Sequence, residues 1–227
     1  MKKATAIQSV PVRPAEGAAK KLVVLALLSA LGFVSMMLVK IPVVSFLKYE
    51  PKDIFLTLAG FLYGPSAALA CSAVTGLLEL PFSSTGIIGM VMNILSSAAF
   101  CCTASVFYRH RRDLYGAVIG LLCSVAVMTV TMLLWNYLIS PLYMGVTREQ
   151  IAPMLTAVFL PFNLLKAGIN AALTLLIYRP FMRVLQRCGY SVSDHYADRR
   201  SSNIVIFVTA ALLFCGCVGV IVWMNRG

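Results

Sequence analysis

Phe159-Leu160-Pro161-Phe162-Asn163-Leu164-Leu165-Lys166-Ala167-Gly168-Ile169-Asn170 lies inside an apolar run long enough to cross a bilayer, yet it carries a lysine. A cation near the middle of a membrane helix costs about 2.5–3.5 kcal/mol on insertion scales. Asn163, Lys166 and Asn170 stand at i, i+3 and i+7, which is one face of a helix. That face must look into protein or water, not lipid. Pro161, one turn before the lysine, lacks a backbone donor and frees the carbonyl of Ala157. Membrane helices tolerate such a break where other groups satisfy the freed backbone. Two readings fit the stretch: a polar pocket inside a helix bundle, or an interhelical clasp in which the lysine binds neighbouring carbonyls. The pocket is favoured, because ionisable residues within membranes mark functional sites.

The rest of the chain supplies the bundle. Of its 227 residues, 60% are hydrophobic and only 12% are charged. Several apolar runs reach the roughly 20 residues needed to span hydrocarbon. The expected fold is therefore an all-α integral membrane protein, with no room for a large extramembrane domain. The net charge of +11 does not signal nucleic acid, because the basic residues cluster in short loops between apolar runs and no basic surface is interleaved with exposed aromatics. That clustering is the topology signature of membrane proteins.

Residues 1–20 read as a basic N-terminal tail. The run after them lacks a clear small-residue cleavage site and is taken as a retained first helix, residues 21–40. Residues 41–52 form a connection with Pro42 and Pro51 and with unusually apolar contents. A short second helix, 53–63, is broken at Gly64-Pro65. The third helix covers 66–80, an uncharged loop 81–86, the fourth helix 87–108 and a charged turn 109–113. The fifth helix runs over 114–139 and is followed by a loop over 140–148. Thr147-x-x-Gln150 is a capping box that starts the sixth helix, which continues through Pro153 and Pro161 and ends at Tyr178, before Pro180. Residues 21–185 thus make a six-helix domain. A basic linker, 186–203, leads to a seventh apolar run within 204–227.

With the N-terminus inside, the inner segments hold Lys20, Lys21, Arg109, Arg111, Arg112, Arg179, Arg183 and Arg187 among others, and the outer ones only Lys40, Lys48, Lys52, Arg148 and Arg226. This bias places the N-terminus in the cytoplasm and the 41–52 and 81–86 loops outside.

Below those outer loops, Asn136 on the fifth helix, Asn163 on the sixth and Asn93 on the fourth are expected to converge near Lys166. Amides both donate and accept, which suits a neutral ligand rich in heteroatoms. Each asparagine alone fits helix–helix hydrogen bonding equally well. Glu79 reads as an interfacial carboxylate, with a relay pairing to Lys166 as the lesser alternative. Tyr49, Trp135, Tyr137 and Tyr143 fit an interfacial aromatic belt, although Trp135 and Tyr137 flank Asn136. Ala26-x-x-x-Ala30 puts two small residues on one face and permits close helix approach. The seven cysteines have no histidine company that would complete a zinc pattern and read as apolar fillers. No metal or cofactor is expected. No catalytic set and no phosphate-cradling loop is present, so the chain is not read as an enzyme, and uphill transport would draw its energy from a partner or an ion gradient. A membrane-embedded enzyme using Glu79 and Lys166 is the rival from another class. An ion-coupled carrier would show an internal repeat, and none is visible.

Phe46-Leu47-Lys48-Tyr49-Glu50-Pro51-Lys52-Asp53-Ile54 and Gly60-Phe61-Leu62-Tyr63-Gly64-Pro65 resemble the loop and second helix of the substrate-binding S components of energy-coupling factor (ECF) vitamin transporters. Thr85-Gly86-x-x-Gly89-x-x-Met92-Asn93, Leu134-Trp135-Asn136-Tyr137 and Pro161-Phe162-Asn163-Leu164-Leu165-Lys166 are similar to the riboflavin-specific branch. The resemblance implies a six-helix S component in a bacterial plasma membrane that captures riboflavin from outside, beneath the loop after the first helix. It implies partners as well: a transmembrane coupling subunit and two cytoplasmic ATPases. It assigns ligand contacts to Asn136, Asn163 and Lys166, more loosely to Asn93, Phe46, Leu47 and Gly86, and partner contacts to Ala26 and Ala30. An S component for thiamine, folate or a biotin-like compound is the near alternative. The seventh apolar run lies outside the six-helix pattern.

Overall fold

Each apolar run becomes a helix, and glycine, proline and capping side chains decide where each one stops. The structure is a computed structural model and describes residues 17–44, 47–83, 86–188, 206, 208–217 and 219. The helices are α1 (Ala18–Leu38), α2 (Lys52–Tyr63), α3 (Pro65–Glu79), α4 (Gly86–His110), α5 (Leu114–Met144), α6 (Arg148–Met154) and α7 (Leu160–Arg187). A 3-10 turn, Leu80–Phe82, prolongs α3. A π-helical turn, Leu155–Phe159, joins α6 to α7, so these pieces form one rod and the unit is the expected six-helix bundle. A further helix, α8, covers Val208–Cys217. Five segments are long and apolar enough to cross a membrane: Ala18–Leu38, Pro65–Phe82, Gly86–His110, Leu114–Leu142 and Arg148–Leu185. With 12 residues, α2 is too short to do so.

The boundaries have local causes. Gly64 closes α2 at φ 94°, a left-handed conformation that costs glycine little, and Pro65 then opens α3, where its missing N–H is no loss. The Asp113 carboxylate accepts from the Gly116 N–H at 2.7 Å and caps α5. At α6 the capping box forms, with Gln150 Oε1 accepting from the Thr147 N–H at 3.1 Å.

Three boundaries differ from the sequence expectation. The fifth helix does not stop at Ile139 but continues through Pro141 to Met144, and turns at Gly145. The sixth does not stop before Pro180 but runs on to Arg187. A proline deletes one donor, and the buried Tyr178, Met182 and Leu185 on either side of Pro180 hold the helix together. Residues 41–52 are not a plain connection. Strands β1 (Ile41–Val44) and β2 (Leu47–Tyr49) form an antiparallel ribbon with Ile41 opposite Tyr49, Pro42 opposite Lys48 and Val44 opposite Leu47. Ile41, Val43 and Val44 are β-branched and suit it, and a two-stranded ribbon leaves an edge where Pro42 needs no partner.

Short as it is, α2 is the hub: it packs against α1, α3, α4 and α7. Away from the ribbon its environment is aromatic. Phe61 stacks on Tyr108 at 4.3 Å between ring centroids, and the Tyr178 hydroxyl donates to that of Tyr108 at 2.9 Å. Next to the ribbon its environment is polar. On α8, Cys217 lies against the Leu165 carbonyl (3.8 Å) and beside Gly168, where a Cβ would come within 2.8 Å of its sulfur.

A buried polar cluster beneath the ribbon

Glu50-Pro51-Lys52-Asp53 enters α2 directly from β2, and the helix carries its charges inward. Lys52 is 1% exposed and Asp53 is fully buried. The Lys52 ammonium lies 2.7 Å from Glu79 of α3 and 3.8 Å from Glu50. Asn93 of α4 donates to the other Glu79 oxygen at 2.6 Å. Asp53 accepts from Ser97 of α4 and from Asn170 of α7 at 3.1 Å. Asn170 in turn accepts from the Tyr49 hydroxyl of β2 at 2.9 Å. One continuous network therefore ties the ribbon to α2, α3, α4 and α7. Low local dielectric makes such a network strong when satisfied and costly when not.

Two groups at its edge are not satisfied internally. Glu50 Oε2 and Trp135 Nε1 are buried without a hydrogen-bond partner among the described residues. Burial pushes the Glu50 carboxyl up, and the ammonium groups of Lys166 and Lys52 act against that rise. Lys166 thus faces the Glu50 side of the cluster. It is 6% exposed and, among the described residues, makes no hydrogen bond or ion pair. A buried ammonium beside an orphaned carboxylate oxygen and an orphaned indole N–H is a set of donors and acceptors ready for a polar ligand edge.

The other predicted residues divide. Asn136 is buried on α5, where its amide donates to the Met132 carbonyl at 2.7 Å and accepts from Ser140 at 2.9 Å, both within its own helix. Asn163 is buried on α7 and donates to the Phe159 carbonyl at 2.7 Å, at the junction with the π turn; such turns recur at functional sites. Since α5 packs on α7, both lie in the same helix layer as Lys166. Asn93 does not join them as a free amide but is committed to Glu79. Leu47 begins β2, and Gly86 begins α4 with φ 60°. Phe46 lies outside the described residues. Ala26 and Ala30 are exposed on α1, beside the exposed apolar Leu22, Leu27 and Leu31.

Glu79 is neither interfacial nor paired with Lys166: it is buried and its cation is Lys52. Tyr49 is not a belt residue but a tether of the ribbon. Sequence reasoning assigned Lys52 to the outer loop and passed over Glu50 and Asp53. A usable signal was there, since three charges stand side by side at the start of a helix too apolar and too short to lie on a surface.

The chain is similar to known proteins over most of this unit. It is 28% identical over 177 residues to the "Riboflavin transporter RibU" of Staphylococcus aureus, covering 74% of this chain and 93% of that one. It is 29% identical over 172 residues to the "Riboflavin transporter FmnP" of Bacillus subtilis, covering 70% and 90%. A solved structure described as "Structure and mechanism of the S component of a bacterial ECF transporter" superposes with a TM-score of 0.65 at 28% identity, over 74% of this chain and 98% of that one. Residues 20–178, which contain the ribbon, the polar cluster and Lys166, match the family described as "ECF transporter, substrate-specific component", and the chain belongs to that family of membrane transport components, which are not enzymes.

Proposed function

We propose that this chain captures riboflavin on the outer side of a bacterial plasma membrane, with its N-terminus in the cytoplasm, and passes it inward together with a transmembrane coupling subunit and two ATPases. The observation that carries this reading is Lys166, a buried ammonium without an internal partner, set beneath the ribbon in a chain similar to proteins named riboflavin transporters. The isoalloxazine ring is apolar on its faces and has donors and acceptors along its edge, and the ribityl chain is rich in hydroxyls. Leu47 and Phe46 would cover a ring face. Lys166, the carbonyl oxygen of Asn163, and Asn136 with Trp135 would meet the polar edge. Mostly apolar walls with a few placed polar groups are the usual form of a small-molecule site.

Removing one partner of a buried hydrogen bond costs about 1–3 kcal/mol, or roughly tenfold to a hundredfold in affinity. Asn163→Ala and Lys166→Ala should therefore each weaken riboflavin binding at least about tenfold while the protein remains monodisperse in detergent. Quenching of flavin fluorescence on titration with purified protein measures this, with thiamine, folate and biotin as competitors. Wild-type affinity in both variants would move the site off α7. A wild type that ignores riboflavin but binds another of the vitamins would replace the ligand and keep the transport role.

A further inference from the structure

We propose a second binding site at the end of the bundle away from the ribbon, for a phosphate group of the kind an anionic phospholipid headgroup carries. A cavity of about 240 Å³ opens there between the end of α2 and the end of α4. Arg109 and Arg112 form one wall, the Tyr63 ring another, and Ser105 and Tyr108 add hydroxyls. The lining contains two guanidinium groups and no carboxylate. Asp113, the acid of this turn, is engaged elsewhere: it pairs with Arg111 Nε at 2.7 Å and caps α5. A third cation stands close by, because Lys21 Nζ lies 5.5 Å from the centroid of the Tyr63 ring.

Like charges gathered on one cavity repel, and an anion between them reverses that sign. Guanidinium forks match phosphate oxygens two at a time. The volume lies below the roughly 300–1,000 Å³ of sites that enclose a whole drug-sized molecule, so it suits a headgroup and not a vitamin. The position favours lipid as the source. Arg109 closes the spanning segment Gly86–His110, the level at which headgroups lie. One turn deeper on the same helix, Val106 and Phe107 are 43% and 40% exposed, an apolar track on which acyl chains can continue from the cavity rim. Basic residues at that depth attract anionic lipid.

The test uses the full-length, delipidated protein in neutral detergent. Native mass spectrometry follows retention of phosphatidylglycerol against phosphatidylcholine, and calorimetry follows inorganic phosphate. Wild type should retain phosphatidylglycerol preferentially. The Arg109→Gln/Arg112→Gln variant should bind it at least about tenfold more weakly, while Arg111→Gln, outside the lining, should match wild type. Inorganic phosphate binding with the same arginine dependence, without any lipid preference, would keep the phosphate site and make a free anion its ligand. Equal retention by the double variant, or an equal loss on Arg111→Gln, would reduce the effect to general surface charge and overturn the proposal.

Discussion

Lys52→Met should destabilise the folded protein by about 3–5 kcal/mol, the range seen when one partner of a buried ion pair is removed. Methionine keeps most of the aliphatic volume of lysine, so packing changes little and the loss is electrostatic. It has two parts in this structure. The first is the 2.7 Å charge-assisted bond to Glu79, worth about 1.5–3 kcal/mol. The second is the stranding of Glu79, which is 4% exposed and would keep only the Asn93 amide. The longer contact to Glu50, at 3.8 Å, adds less. Removing both charges tests the assignment: Lys52→Met/Glu79→Gln leaves no stranded ion and should recover to within about 1–2 kcal/mol of wild type, since a buried pair and a neutral replacement are often close in stability. Equilibrium unfolding in mixed micelles, followed by tryptophan fluorescence, gives the three free energies. A single variant within about 1 kcal/mol of wild type, or a double variant worse than the single, would refute the reasoning.

Three further outcomes are expected. Ala26→Trp or Ala30→Trp places bulk on the exposed face of α1 and should abolish vitamin uptake while binding by the isolated protein persists; normal uptake by both variants would rule that face out as a coupling surface. A chain cut after Arg187 should still bind riboflavin, because α1 to α7 are complete, but with lower thermal stability, because Gly168 and Leu165 lose their contact with Cys217; a well-folded truncation that cannot bind would make α8 part of the site. Single cysteines at Lys48 and Arg111 should label from outside and from inside respectively, and the reverse pattern with an impermeant reagent in intact cells would invert the orientation.

Much of this protein is legible in local chemistry. The apolar runs had to become helices, because in hydrocarbon every backbone polar group must be satisfied within its own segment. Gly64-Pro65, the Asp113 cap and the Thr147–Gln150 box act over a few residues, so the breaks they make could be read without tertiary knowledge. Lys166 could be singled out for the same reason: one cation within a long apolar run is an anomaly whatever surrounds it.

Pairing was not legible. Glu79 lies 27 residues from Lys52 and Asn170 lies 121 from Tyr49, and nothing local tells a buried ion pair from two interfacial charges. Proline was misleading at 141 and 180, since its cost is one lost bond and packing on both sides outweighs it. Asn93 looked like its fellow asparagines in sequence, yet it is the partner of Glu79, because α3 and α4 happen to meet there. The sequence by itself determined that helices would form, roughly where each would end, and that a polar face would be buried. Only the tertiary structure decided which charges neutralise one another, and so which ammonium, that of Lys166, is left for a ligand. Helix formation and capping depend on neighbours along the chain, whereas the solvation of a buried charge depends on whatever the fold brings within a few ångströms of it.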